Sequence, residues 1–173
     1  MNLLLNTGKY TIRNYKPSDA QALAVIFGDA EVMKYVEPPY DLDKTKQFLK
    51  KYGTNDTPLA FALIYDKSKI LIGHVIYHPF SHDHLEKEYG KGKVYELGFV
   101  IAKEFWRKGC ATDVAKELIK YSLREGVSAL ALECDPQNTA SICLAKSLGF
   151  VQYNELGNPN SKEELPVFVL PLA

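Results

Sequence analysis

The segment from Tyr95 to Glu125 most constrains the fold of this chain, because it joins a strand-like run to a helix-like run through a short glycine turn. The strand-like run covers 95–101, and the helix-like run carries Val114, Leu118 and Tyr121 on one face. A strand, a tight turn and an amphipathic helix in this order predict a helix that packs against a sheet.

The turn at Gly109 has the features of an anion-binding loop. Gly109 has no side chain and tolerates positive φ angles, and Ala111 is small. Thr112 and Asp113 are expected to begin the helix, so the backbone N–H groups before them lie at the positive end of its dipole. The turn lacks the Lys-Ser/Thr pair of a P-loop and the three glycines of a dinucleotide fingerprint. A plain strand-to-helix connection is the alternative interpretation of this turn taken alone.

Four segments together resemble the GCN5-related N-acetyltransferase (GNAT) superfamily. They are Tyr-Glu-Leu-Gly-Phe-Val-Ile at 95–101, Trp-Arg-Lys-Gly-Cys-Ala-Thr at 106–112, Asn-Thr-Ala-Ser at 138–141 and Leu-Gly-Phe at 148–150. The tryptophan before the loop and the Asn-x-x-Ser pair resemble the RimJ/RimL-like branch, which acetylates N-terminal amines of ribosomal proteins. The resemblance extends from Tyr10 to Leu170, and four motifs in order are far more specific than one loop.

The resemblance implies an α+β fold in which a mixed, mostly antiparallel sheet has a splayed central strand pair and helices on both faces. The order of the elements, hairpins first and βαβ later, favours the same mixed sheet. With 173 residues, of which 46% are hydrophobic, the chain is expected to form a single domain over 1–173.

Local patterns predict the individual elements. The Ser-x-x-Gln pattern at 18–21 indicates a capping box for a first helix, whose buried stripe is Leu23, Ile26 and Phe27. A hairpin turn is expected at 66–69, and a polar segment covers about 79–92. The other predicted elements are strands at 10–15, 59–65, 70–77 and 129–133, helices at 43–52 and 138–147, and late strands near Phe150 and Val167.

The resemblance also implies which residues bind acetyl-CoA. Backbone groups of the strand at 99–101 would hold the pantetheine arm and polarise the acetyl carbonyl, and the loop would hold the pyrophosphate. Asn138 would lie against the arm or near the acceptor, although asparagine is also a favoured helix N-cap. The expected cofactor-binding residues are Phe99, Val100, Ile101, Arg107, Lys108, Gly109, Cys110, Ala111, Thr112 and Asn138.

Two residues are candidates for proton transfer. A protonated amine must lose a proton before it attacks, and Glu96 is the candidate base; the alternatives are water and a carboxylate that faces solvent or pairs with a cation. Many superfamily members protonate the leaving thiolate with a tyrosine, but Ala145 occupies that position here. In the branch that the chain resembles, the serine three residues after the asparagine is the proposed acid. The resemblance thus implies Ser141 as the candidate acid here, with water as the alternative, or simply a small residue in the first turn of a helix.

Several other features receive a structural interpretation. His78, His82 and His84 are close in sequence, but no zinc signature accompanies them, so a solvated loop or a wall of the acceptor site is expected and no metal. Cys110 is expected to pack as a small apolar residue. Glu37, Tyr40 and Asp41 would lie in the segment that lines the acceptor site in this family, or would form an ordinary polar loop.

Composition bears on partners and location. The 21 basic and 21 acidic residues balance, so neither nucleic acid nor an anionic membrane is an expected partner. No long apolar run or export leader is recognised, and the three cysteines show no ligand-like spacing. We expect a cytoplasmic protein with reduced thiols, either a monomer or a homodimer.

Two function classes remain open on the sequence. The first is an acetyl-CoA-dependent N-acetyltransferase in which a primary amine, at a protein N-terminus or on a small molecule, attacks directly. The second is a non-catalytic module that binds or senses acyl-CoA, which the absence of the usual tyrosine makes conceivable. The acceptor is not specified by the sequence, because acceptor loops are the least transferable part of this superfamily.

Overall fold

A computed structural model describes residues 3–153 and 165–172 of the chain. These residues contain eight strands of a mixed, mostly antiparallel sheet and five α-helices, which confirms the predicted α+β class. The chain divides into two compact units, Met1–Tyr77 with Phe99–Glu117, and His78–Gly98 with Leu118–Ala173. The single domain over 1–173 stays a prediction.

The first unit is built on antiparallel strands in the order of the chain. They are β1 (Leu4–Asn6), β2 (Tyr10–Arg13), β3 (Ala60–Tyr65) and β4 (Ile70–Pro79), the last of which continues into the second unit. Leu5 pairs with Ile12, and Leu63 pairs with Gly73. The turn between β3 and β4 lies where the hairpin was predicted, but β1 was not predicted because its three residues carry too little pattern.

Two helices accompany these strands, α1 (Ala20–Phe27) and α2 (Leu42–Phe48), and α2 runs on into a π-helical turn over Leu49–Gly53. The predicted capping box at Ser18 was wrong. The chain first makes a short 3-10 turn, Pro17–Asp19, and the Asp19 carboxylate accepts a hydrogen bond of 2.7 Å from the Lys16 N–H. The cap therefore lies one turn before the regular helix.

The apolar stripe of α1 is buried as predicted. Leu23, Ile26 and Phe27 belong to one core cluster that also includes residues of β3. The rings of Phe27 and Phe48 make edge contacts with the His74 ring, and the Tyr15 ring stacks on it. The first unit thus buries an imidazole at the centre of an aromatic cluster.

The second unit combines a parallel pair with antiparallel strands. Its strands are β5 (Val94–Ile101, of which Phe99–Ile101 belong to the first unit), β6 (Ala129–Glu133), β7 (Val151–Gln152) and β8 (Val167–Pro171). The pairing of β5 with β6 is parallel, and β8 pairs antiparallel with both β6 and β7. The parallel register runs from Val94 opposite Ala129 to Glu96 opposite Ala131, and β5 itself continues to Ile101.

Helices α4 (Cys110–Arg124) and α5 (Thr139–Ser147) match the predicted helices, but α3 (Asp83–Tyr89) lies in the polar segment at 79–92, where no helix was predicted. The sequence of α3 has one buried apolar residue, Leu85, which packs in a cluster with Val94 and Val167. One such residue gives no helical period, so only tertiary packing reveals this helix.

Candidate functional site

The loop that follows β5 is anchored by its tryptophan. The Trp106 indole Nε1–H donates a hydrogen bond of 2.7 Å to the carbonyl oxygen of Ile101, the last residue of the strand. The chain then turns through two residues in the left-handed region, Arg107 at φ 55° and Gly109 at φ 78°. Alternation of left- and right-handed residues is the backbone pattern that turns successive N–H groups toward one side.

Among the backbone hydrogen bonds outside helices and strands in the described part of the chain, none is donated by the N–H groups from Arg107 to Thr112, and the Asp113 N–H donates to the Gly109 oxygen at 2.9 Å. Helix α4 begins at Cys110, two residues earlier than predicted, so these donors coincide with the positive end of its dipole. A side chain added at Gly109 would meet no atom within 4 Å. Open space in front of a row of donors fits a phosphate group.

The Cys110 thiol is not exposed to this space. Only 2% of the residue is accessible, and its side chain hydrogen-bonds to that of Tyr10. Burial, assisted by the charge of Asp113 and opposed by the hydrogen bond from Tyr10, raises the pKa of the Cys110 thiol to about 11. Such a thiol is protonated at neutral pH and is unsuited to act as a nucleophile.

The end of β5 packs closely against β4 within the first unit. The Ala102 N–H donates to the Ile72 oxygen at 2.8 Å, and a side-chain carbon added at Gly73 would lie 2.8 Å from the Val100 oxygen. Val100 is buried in the core, whereas Phe99 and Ile101 are partly exposed. Gly73 therefore permits the close approach of two backbones beside the predicted site residues.

Glu96 forms an ion pair with His78 within the second unit. His78 Nε2 lies 3.1 Å from Glu96 Oε2, and His78 Nδ1 lies 2.8 Å from the Pro79 carbonyl oxygen. Burial lowers the pKa of His78, but the hydrogen bonds to Glu96 and Pro79 and the charge of Glu96 outweigh it, so the pKa is raised. A third group, Glu133, has its pKa raised by burial and then by the charge of Glu96.

Ser141 and Asn138 meet at the start of α5. The Asn138 Oδ1 accepts a hydrogen bond of 3.1 Å from the Ser141 N–H, so Asn138 is the N-cap of the helix. The Ser141 side chain hydrogen-bonds to the buried thiol of Cys134. Burial, joined by the charge of Asp135 and opposed by the hydrogen bond from Ser141, raises the pKa of the Cys134 thiol.

The remaining candidates behave mainly as structural groups. Tyr40 donates a hydrogen bond of 2.6 Å to Glu37, and the Lys44 ammonium lies 3.8 Å from the centre of the Tyr40 ring. Asp41 caps α2 by accepting the Lys44 N–H at 2.7 Å. His82 stacks on Phe80, and no cluster of metal-ligating side chains occurs in the described part of the chain.

The predicted residues fall into two groups. Phe99, Val100, Ile101 and the loop 107–112 belong to the first unit, and Glu96, Asn138 and Ser141 belong to the second. Sequence reasoning missed the pairing of His78 with Glu96, the proximity of Glu133 to Glu96 and the bond from Trp106 to Ile101. Each of these depends on strand register or backbone conformation, for which the sequence carries no local signal.

No helix among the described residues is both long and apolar enough to cross a bilayer.

Comparisons with known proteins agree on the family. Residues 9–151 match the sequence profile described as Acetyltransferase (GNAT) domain. The chain is 26% identical over 147 residues to the uncharacterized N-acetyltransferase YnaD of Bacillus subtilis (strain 168), with 84% of this chain and 81% of that protein covered.

Solved structures share the fold. A GNAT-family acetyltransferase from Bacillus anthracis has a TM-score of 0.77 and 24% identity, and 96% of each chain is covered. An acetyl transferase from Salmonella typhimurium that modifies the N-terminal serine of the 50S subunit protein L7/L12 has a TM-score of 0.74 and 12% identity, covering 99% of this chain and 100% of that one.

Proposed function

This chain belongs to the GNAT family of acetyltransferases, and from that membership we propose that it transfers the acetyl group of acetyl-CoA to a primary amine. The amine is at a protein N-terminus or on a small molecule. The protein-terminus class is included because the Salmonella typhimurium structure is of an enzyme with such an acceptor.

The observation that carries the proposal is the row of backbone N–H groups from Arg107 to Thr112, none of which donates a hydrogen bond outside helices and strands in the described part of the chain. Such donors at the start of a helix lack intrahelical partners, and a bound anion would accept hydrogen bonds from them. The open space at Gly109 fits a pyrophosphate, which acetyl-CoA carries. Arg107 and Lys108 would add charge, and Cys110, Ala111 and Thr112 would contribute backbone donors at the first turn of α4.

The other residues would act at the reacting end. Bound acetyl-CoA would supply a thioester carbonyl for attack and a thiolate that leaves. Backbone groups of Phe99, Val100 and Ile101 would bind the pantetheine arm and polarise the acetyl carbonyl of the cofactor, and Asn138 would also contact the cofactor. Glu96 would take a proton from the ammonium, so that the N–H electron pair stays on nitrogen for the attack.

Ser141 would return a proton to the departing sulfur. Its hydroxyl is a weak acid, and its side chain also hydrogen-bonds to the Cys134 thiol. Water is the alternative donor. The second candidate function, an acyl-CoA-binding module without turnover, would share the loop but require neither Glu96 nor Ser141.

Calorimetric titration with acetyl-CoA tests the loop. Gly109→Ala places a side chain in the donor row, and its matched control is Gly92→Ala, which has a similarly strained φ of 69° and equally open surroundings. We expect one-to-one binding by the wild type and by Gly92→Ala, and at least tenfold weaker binding by Gly109→Ala. Equal affinity for all three proteins would refute the assignment of the loop.

Turnover separates the two function classes. Glu96→Gln and Ser141→Ala should keep acetyl-CoA affinity but lose about 10²-fold or more in turnover of an amine that the wild type acetylates, as expected for lost acid–base groups. Ser147→Ala, an exposed serine in the same helix, is the control. Absence of turnover by the wild type across N-terminal peptides and small amines, despite binding, would favour the sensing module.

A further inference from the structure

The two ring nitrogens of His78 have different hydrogen-bond partners, and these partners show which nitrogens carry a hydrogen. The Pro79 carbonyl oxygen can only accept a hydrogen bond, so His78 Nδ1, 2.8 Å away, must carry a hydrogen. His78 Nε2 faces a carboxylate oxygen at 3.1 Å. A neutral imidazole would then present a lone pair to the carboxylate, whereas an imidazolium donates to it. The geometry therefore favours the charged form of His78.

The surroundings strengthen this preference. The side chains of His78 and Glu96 are only 21% and 20% exposed, so water screens the pair poorly. The Glu96 backbone pairs with Ala131, and Glu133 lies two residues farther along β6, on the same face of the sheet. The charged groups recorded around the pair in the described residues are thus Glu96, His78 and Glu133.

These three groups present one cation to two carboxylates. Burial and then the charge of Glu96 raise the pKa of Glu133. A positive charge near a carboxylate favours its ionised form, and only an ionised carboxylate can accept a proton as a base. His78 contacts Oε2 of Glu96. In the proposed function, Oε1 would be the oxygen that receives a proton from the amine.

We propose that His78 is a positioning residue that orients the Glu96 carboxylate through Oε2 and places a positive charge beside it. The inference rests on the proposed function, in which Glu96 is the base. His78 itself acts through Glu96. Loss of its positive charge should therefore shift the pH range over which the enzyme works more than it weakens acetyl-CoA binding.

The test is the pH profile of kcat/KM for three variants. His78→Gln keeps a hydrogen-bond donor without a charge and should move the acid limb upward by about one pH unit, as removal of an adjacent opposite charge does. His78→Lys restores a charge and should return the limb toward the wild-type position. His84→Gln, an exposed histidine of the following segment, is the control and should leave the profile unchanged.

A second readout is independent of turnover. The imidazole of His78, followed by NMR, should titrate at lower pH in Glu96→Gln than in the wild type, because its anionic partner is gone. An unchanged acid limb in folded His78→Gln, or an unchanged His78 titration in Glu96→Gln, would overturn the inference. Full activity of Glu96→Gln would instead refute the base role in the proposed function, even where the His78 titration moved as expected.

Discussion

At the scale of single residues, burial decides what each of the three cysteines can do. Cys110 and Cys134 are 2% and 6% exposed, and burial raises the pKa of both thiols, to about 11 for Cys110. Cys143 lies on α5 and is exposed. Because the thiolate is the reactive form, the same side chain is inert at two positions and accessible at the third.

We expect iodoacetamide at pH 7.5 to alkylate one thiol of the native protein rapidly, and three after denaturation. Intact-protein mass spectrometry over time counts the adducts. Cys143→Ser should abolish the rapid adduct and leave the two slow ones. Rapid modification of Cys110 in the folded protein would contradict its burial and its hydrogen bond to Tyr10.

At the scale of elements, the junction between β2 and α1 is held together by hydrogen bonds to one carboxylate, that of Asp19. Arg13 donates to both oxygens of Asp19, at 2.7 and 2.9 Å, and the Lys16 N–H donates a third bond. Burial raises the pKa of Asp19, but the hydrogen bonds from Arg13 and Lys16 outweigh it and the pKa is lowered. Asp19 therefore joins the strand to the helix as a carboxylate.

Asp19→Ala should lower the free energy of unfolding by about 1–3 kcal/mol, because it removes a cap and leaves the Arg13 donors without an acceptor. Ser18→Ala, which changes the exposed residue that the sequence pattern selected as cap, should change it by less than about 0.5 kcal/mol. Urea denaturation followed by circular dichroism measures both. A larger loss for Ser18→Ala than for Asp19→Ala would restore the original capping assignment.

At the scale of the whole molecule, stability is expected to depend on pH through a buried group that has no role in the proposed chemistry. His74 is 3% exposed, and its Nδ1 lies 2.9 Å from the Tyr15 hydroxyl. Burial lowers the pKa of His74 to about 3. In the unfolded chain, histidine takes up a proton near pH 6.5, so the neutral, buried imidazole stabilises the fold fully only above that pH.

Between pH 6.5 and about 3, the wild type should therefore lose about 1.4 kcal/mol of stability per pH unit from this group alone. His74→Gln keeps a partner for Tyr15 and does not titrate, so its stability should fall less steeply. Asp19 and the other carboxylates titrate in both proteins and cancel in the difference. Parallel slopes in urea denaturation at pH 7, 6, 5 and 4 would show that His74 becomes charged without unfolding.

The predicted elements were confirmed where the sequence pattern that indicated them was local. The stripe of Leu23, Ile26 and Phe27, the hairpin turn at 66–69 and the helices after the two family motifs all came from periodicity or turn chemistry that neighbouring residues provide. Short or polar elements were not predicted, because β1 has only three residues and α3 has a single buried leucine. Such elements form because other parts of the chain pack against them.

The sequence by itself carried the four motifs that resemble the family and the anion-binding features of the turn at Gly109, because these depend on residue types at fixed spacing. The resemblance in turn implied Glu96 and Ser141 as candidates. Only the tertiary structure decided which other residues lie near these candidates. Glu96 meets His78 and Glu133 through strand pairing, and the loop donors are exposed because Arg107 and Gly109 adopt left-handed angles. Strand register and backbone dihedrals are set by long-range packing, which no local pattern of residues specifies.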